Sequence, residues 1–367
     1  MNRTTRIILI IIPILILGLA VWQLGHIVAY VVIAFIISMV GEPLVSLLGK
    51  VHIKSWHFPR WLCSMITLII IWILIFTFFR TFIPLLTQEL QYFAELDMES
   101  VFRSLSDPIA KIEGWVNEYN LSVEEGFTFN SWASETITGL FGIEKITALI
   151  GGIAGAIGNI FVAFLVISFT SFFFMKEAHL FENALVLFFP DEQESRIRRA
   201  LHSISHFLKR YFIGIALQVT GIIILNTTGL TIVGLNFSTA VTIGLISGVL
   251  NVIPYVGPLI SLGIALVVGT AVSIPMDFYS EILPRLVFIA IAMEATQLID
   301  NVVFQPLIFS KSVMAHPLEI FLVIISAGTL GGIVGMIVAV PTYTVLRVVS
   351  KEFLSGSKFF RKLTESL

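Results

Sequence analysis

The chain has 367 residues, of which 57% are hydrophobic and 13% charged, with a formal net charge of −2 and a mean hydropathy of +0.96. A water-soluble domain carries about 25% charged residues, so this composition excludes an ordinary soluble enzyme or binding module and points to an integral membrane protein. Cys63 is the only cysteine, which rules out an intrachain disulfide and a thiolate metal cluster.

The first apolar run, 7–22, follows Arg3 and Arg6 and also fits a secretory signal. A second run, 27–40, starts after only Gln23 to His26, and that spacing suits the turn of a membrane hairpin better than a cleavage site. Further runs at 61–86, 146–175, 211–235 and 285–304 are close to or beyond the ~20 residues that cross a hydrocarbon core. Basic residues of short loops mark the cytoplasmic side. Here they are Lys50, Lys54 and Arg60, the cluster Lys176, Arg196, Arg198, Arg199, Lys209 and Arg210, and Lys351, Lys358, Arg361 and Lys362 in the tail. Residues 87–145 hold eleven acidic residues against three basic ones. These placements predict both termini inside a bacterial inner membrane and 87–145 outside it.

In the outer insert, Val101, Leu105, Ile109, Ile112, Trp115 and Tyr119 recur at helical spacing, and a second short helix is expected at 131–141. On the inner side, Ile197, Leu201, Ile204 and Leu208 line one face of a segment beginning at Pro190-Asp191, opposite Arg198, Arg199, His202 and His206. That pattern predicts a cytoplasmic amphipathic helix over 176–210, leading into the span at 211 and able to meet anionic lipid headgroups.

The C-terminal half, 211–350, is interrupted twice. An apolar arm 238–250 runs into Asn251-Val252-Ile253-Pro254-Tyr255-Val256-Gly257-Pro258, after which apolar residues resume to 274. Two prolines without donors and a glycine must break the helix there. The second interruption, Gly328-Thr329-Leu330-Gly331-Gly332-Ile333-Val334-Gly335, lies within 318–347. Inside a bilayer, broken backbone persists only where protein buries it or where it lines a wet cavity. Two broken hairpins entering from opposite sides are a transporter feature; two pairs of tightly packed spans, with glycines permitting close approach, fit the same residues. Asn251, Pro254, Tyr255, Gly257, Pro258, Gly331, Gly332 and Gly335 are therefore the candidate gate residues.

The span between the hairpins carries Glu294, Gln297, Asn301 and Gln305. At ~100° per residue they fall within about 80° of arc and form one polar stripe, with Asp300 on its flank nearest Gln297. A carboxylate at the bilayer centre costs at least about 2.5–3.5 kcal/mol, so these five residues are the candidate pathway for a solute or ion. Glu294 has apolar sequence on both sides, whereas Asp300, nearer the cytoplasmic end, fits an interfacial cap equally well.

Other signals carry less. His202 and His206 lack a third metal ligand, and Gly244-Leu245-Ile246-Ser247-Gly248 departs from the spacing of a nucleophile elbow. No phosphate-cradling loop is present. The chain thus reads as neither an enzyme nor a cofactor protein, and none of these patterns involves a nucleic acid.

The run Gly248 to Pro258 resembles the signature of the autoinducer-2 exporter family of permeases. So do Gln297 with Asp300-Asn301 and Gln305-Pro306, His316-Pro317, the glycines of 331–335, Ala339-Val340-Pro341, Pro43-Leu44 and Arg60. The resemblance implies an all-α membrane transporter of about eight spans, homo-oligomeric assembly, and either export of the autoinducer-2 furanone or exchange of sodium or lithium for protons. Three functions follow as expectations. The first is export of a small polar uncharged solute, suited by the amides of Gln297, Asn301 and Gln305. The second is a monovalent cation/proton antiporter using Glu294 or Asp300. The third is a non-transporting scaffold built on the outer insert.

Overall fold

A computed structural model describes residues 25–50, 52–53, 56–95, 157–177, 180–187, 189–273, 276–309 and 316–354, with 110, 111 and 114. The predicted first span 7–22, nearly all of the outer insert, the start of the fourth span and the tail beyond 354 lie outside the described residues. The chain divides into two compact units, Met1–Ile75 with Ala156–Phe212 and Phe76–Gly155 with Ile213–Leu367. The architecture is that of a helical integral membrane protein, with one two-residue β-ladder among the described residues. Among the described residues, five helices are long and apolar enough to cross a membrane, and three more are shorter and apolar.

In the first unit, helix α1 (Gly25–Gly49) packs on α3 (Ile157–Lys176). Across their contact the fully buried Ser171 hydroxyl donates to the Ala34 carbonyl at 3.2 Å. Small side chains at the seam are what helices in lipid need, since no hydrophobic force drives them together. Val45, Cys63, Leu68 and Met175 form the buried cluster, and Trp72 tilts against Phe164 at 4.5 Å. The pair Glu42-Pro43 reads as a helix end, yet α1 continues through Pro43 to Gly49. Pro in a helix removes one backbone bond, and a membrane helix tolerates this where neighbours satisfy the freed groups. Glu42 instead pairs with Arg60 at 3.1 Å, and Arg60 Nε donates to the Met175 carbonyl at 3.0 Å, capping α3. Between α1 and α2 (Arg60–Glu95), β1 (His52–Ile53) and β2 (Trp56–His57) make a two-residue antiparallel ladder.

After α4 (Leu180–Val186) and a 3-10 turn Asp191–Gln193, α5 runs unbroken from Glu194 to Ile232. The helix expected over 176–210 begins as such only at Glu194, after the separate elements α4 and Asp191–Gln193, and runs without interruption into the span after 211. Ile197 and Leu208 are buried on one side of it, while Arg198 is held by Glu194 at 2.8 Å and Glu182 at 3.3 Å. At ~1.5 Å per residue its 39 residues exceed a ~30 Å hydrocarbon core, so part of it lies outside.

The second unit holds the interrupted elements. Helices α6 (Phe237–Leu250) and α7 (Val256–Val272) have 14 and 17 residues, and Asn236 caps the first by accepting from the Thr239 amide at 2.8 Å. Each is shorter than a ~30 Å core needs. Ala240 and Ile243 of α6 pack with Ala265, Val268 and Ala271 of α7, with Leu230 of α5, and with Ile289 and Met293 further on. The start of α6 therefore meets the end of α7, which makes them an antiparallel hairpin. A π-turn (Phe278–Ile282) leads into α8 (Leu283–Ile299), a second π-turn (Asp300–Phe304) and α9 (Gln305–Phe309). The last helix, α10 (Pro317–Leu354), is continuous by hydrogen bonding except at Gly332, whose φ of 59° and ψ of −146° are not helical. It folds back at that point. The Tyr343 hydroxyl donates to Glu319 at 2.8 Å although 24 residues separate them, a distance of about 36 Å along a straight helix. The expected second broken hairpin is thus formed by the two arms of α10.

Candidate functional site

The site forms where the tip of the α6–α7 hairpin meets the second π-turn. Of the sequence-predicted residues, Asp300 is the most enclosed, with no accessible surface at all. Its Oδ1 accepts from Gln218 Nε2 at 2.7 Å, and its Oδ2 accepts from Gln305 Nε2 at 3.0 Å and Asn251 Nδ2 at 3.5 Å. Among the described residues no Lys, Arg or His pairs with it. A buried carboxylate is expensive unless it is well bonded, and here three amide dipoles from α5, the hairpin tip and α9 meet that demand.

The π-turn explains why a residue predicted on the stripe's flank becomes its centre. Bonding of the i→i+5 kind, common at functional sites, carries Gln305 over Asp300. The stripe is itself bonded along its length: Asn301 Oδ1 accepts from Gln305 at 2.7 Å and from Gln297 at 3.3 Å. The Gln297 and Gln305 carbonyls and the Asn301 amide nitrogen are the groups left to face a ligand. Asn301 and Glu294 are exposed and Gln297 is half-buried.

At the tip, Asn251 C-caps α6 and its backbone N–H returns to Ser247 O. Pro254, Tyr255 and Val256 form a tight three-residue turn. The Val256 N–H donates to the Pro254 carbonyl at 2.8 Å, and Tyr255 takes a φ of 67° and a ψ of −47°. A γ-turn of this hand is rare and strained, at a cost of roughly 1–3 kcal/mol for a residue with a Cβ. The Tyr255 ring meets Phe321 of α10 edge to face at 5.7 Å. Gly257 is required by closeness, since a Cβ there would stand 2.0 Å from the Leu250 carbonyl oxygen. Gly331, Gly332 and Gly335 sit at the fold of α10, away from Asp300's hydrogen bonds. There a Cβ on Gly335 would meet the Ala327 carbonyl at 2.1 Å, and only Gly332 takes a positive φ.

Beside Asp300 lies a cavity of ≈ 20 Å³, whose walls include Asn226, Ser247, Asn251, Pro258, Ser261, Glu294, Thr296 and Gln297. Asn226 Oδ1 and Ser247 Oγ are buried there without a hydrogen-bond partner. Sequence reading missed Gln218, Asn226 and the hydroxyls of Ser247, Ser261 and Thr296 as site residues. The available signal was a single amide in each of two turns of the apolar run 211–235, Gln218 and Asn226, which fall on one face at i and i+8.

A broken hairpin, a buried carboxylate held among the described residues by amides and a polar stripe inside apolar helices give this multi-pass membrane protein an interior polar site, a feature that membrane transporters share. Residues 10–355 match the profile described as "AI-2E family transporter", and the chain belongs to that family of membrane transporters. It is similar to YueF of Bacillus subtilis strain 168, named as a candidate transport protein, at 27% identity over 86% of this chain and 81% of that one. YrrI of the same organism, named likewise, is 30% identical over 56% of each chain. A candidate transport protein of Borreliella burgdorferi is 25% identical over 60% of each.

Proposed function

We propose that this transporter exports a small, polar, uncharged solute, of the chemical kind of the autoinducer-2 furanone, across a bacterial inner membrane, with both chain termini cytoplasmic. The observation that carries the reading is the Asp300 knot. It joins α5, the hairpin tip and the π-turn, and it continues into the Gln297–Asn301–Gln305 row whose free amide groups match hydroxyls. The ≈ 20 Å³ cavity admits one water-sized body, so passage of an organic solute requires the tip to move away from α8. The Asn251–Asp300 bond, the longest of the three at 3.5 Å, breaks first, and the strained turn at Tyr255 lowers the cost of leaving this conformation. Hydroxyl groups of the solute then replace Asn251 against the carboxylate. The exposed apolar faces of α2 and α3, including Ile69, Ile73, Phe76, Phe161, Leu165 and Phe169, are the lipid-facing surface, and further copies of the chain are proposed as neighbours.

The test is efflux of labelled autoinducer-2 furanone from cells lacking their own exporters, with and without this chain, and with glucose and glycerol as comparison solutes. Efflux that rises with expression of the wild-type chain and not with a Gln297→Leu, Asn301→Leu double variant supports the reading. Equal efflux from cells with and without the chain rejects it.

A further inference from the structure

The two arms of α10 are held together from their fold to their base, and the base touches the α6–α7 tip. At the fold, a Cβ on Gly335 would meet the Ala327 carbonyl and one on Gly328 would meet the Met336 side chain, so the arms lie against each other there. Glu319 stands eight residues before Ala327 and Tyr343 eight residues after Gly335. These two meet as well, through the hydroxyl bond at 2.8 Å. The arms therefore keep antiparallel register over about 12 Å. Arg347, 5% exposed, lies one turn further along the face of Tyr343. Phe321 follows Glu319 by two residues, about 200° round the helix, and its ring meets Tyr255 edge to face at 5.7 Å. The first arm thus holds the second arm with one side and the tip with the other. Tyr255, at a φ of 67°, keeps a conformation that a residue with a Cβ leaves unless its surroundings enforce it.

We infer that Glu319 and Tyr343 are positioning residues of the transport cycle: their hydrogen bond closes the base of the α10 hairpin and so presses Phe321 on Tyr255, coupling the second broken hairpin to the opening of the first. The inference rests on the tip motion of the transport reading above, and not on the identity of the solute. Packing alone does not call for this pair. Apolar contacts hold the arms elsewhere, and Glu319 is a half-buried carboxylate in an apolar helix, a costly residue to place there. One bond from a phenol to a carboxylate is a latch that opens and re-forms as a unit. Pro341 stands two residues before Tyr343 and has no N–H to give the Ile337 carbonyl, so the second arm is weakest beside the latch. When the latch opens, the first arm is free to turn and Phe321 withdraws. The strained turn at Tyr255 then relaxes as the tip leaves α8, and the 3.5 Å bond from Asn251 is the tie left between the tip and Asp300.

The experiment reads tip opening as the reaction rate of a buried thiol. Cys63→Ala removes the only native cysteine, and Ser247→Cys places a thiol on the wall of the cavity that the tip closes. The full chain in lipid nanodiscs is treated with a small cationic methanethiosulfonate, which reaches that thiol only through water. Tyr343→Phe, Glu319→Ala and Phe321→Ala are each expected to speed the reaction about three- to tenfold. Glu319→Gln keeps an acceptor for the hydroxyl and stays within about twofold of the parent. The double variant Tyr343→Phe, Phe321→Ala reacts no faster than the faster single variant, a coupling that two unrelated structural losses do not show. Should Ser247→Cys fail to fold, Ser261→Cys on α7 puts the thiol on the same cavity. Unchanged rates in the latch variants overturn the inference, and so do rates that multiply in the double variant. Either result leaves the efflux test standing, whereas coupled labelling in a chain that moves no furanone keeps the latch and rejects the solute.

Discussion

Gly257→Ala is the sharpest steric perturbation of the hairpin tip. The added methyl would lie 2.0 Å from the Leu250 oxygen, 2.5 Å from its carbonyl carbon and 3.0 Å from the Asn251 nitrogen. A carbon and a carbonyl oxygen ordinarily come no closer than about 3.3 Å, so the chain must part by more than 1 Å. All three neighbours are backbone atoms and cannot swing aside. Overpacking of this kind costs about 1–3 kcal/mol or more, and the shift pulls Asn251 from a bond to Asp300 that is already 3.5 Å long. Gly263, on the same helix, is the internal control, since a Cβ there meets nothing within 4 Å. Ala at that position gains about 1 kcal/mol of helix propensity. Thermal stability in detergent, followed by loss of the monodisperse peak, should rank Gly263→Ala at or above wild type and Gly257→Ala clearly below it. Transport by Gly257→Ala should fall further than its stability loss alone explains. Equal melting of the two variants would refute the close approach at the tip.

Other consequences are open to measurement. Gln218→Ala removes the only amide on Asp300 Oδ1 and should cost about 1.5–3 kcal/mol, as hydrogen bonds to charged groups do. In an Asp300→Asn background the cost should drop by roughly half, and a double-mutant cycle with no coupling would show that the two do not interact. At Tyr255, with φ at 67°, Gly relieves backbone strain that Ala retains, so Tyr255→Gly should melt above Tyr255→Ala although both lose the Phe321 contact. The reverse order would argue against the strained γ-turn. Arg60→Ala leaves Glu42 unpaired and the Met175 carbonyl uncapped. The ion pair is partly exposed and worth under about 1 kcal/mol alone, so a loss well above that in thermal unfolding would credit the cap.

How much of this was readable in the sequence depends on which force sets each feature. Composition and run length fixed the membrane class, because hydrocarbon imposes one requirement on every span. Pro254, Gly257 and Pro258 announced the first break through missing donors and a missing Cβ, and the structure has its turn there. The glycines from 328 to 335 announced the second break but not its pivot, since only the fold-back of α10 decides that Gly332 alone takes a positive φ. Asp300 was visible as a costly residue, yet straight-helix geometry put it on the flank of the stripe. The π-turn that centres it has no compositional signature. Gln218 stayed hidden for another reason. One amide in an apolar run gives no sign of its partner, and the carboxylate it meets is 82 residues further along the chain. Pro43 was misleading in the opposite direction, because a tertiary partner for Glu42 allowed the helix to continue where local preference ends it.

The most direct measurement is transport by Asp300→Asn in proteoliposomes, beside wild type and Glu294→Gln, with each variant shown to be folded and inserted. The substitution keeps the shape of the side chain and removes the charge on which three amides converge. The expected result is loss of solute flux by tenfold or more in Asp300→Asn, where the hydrogen bond from Asn251 to residue 300 no longer holds the tip, and a smaller loss in the exposed Glu294→Gln. Wild-type flux through folded Asp300→Asn protein would contradict the assignment of the Asp300 knot as the centre of the transport site.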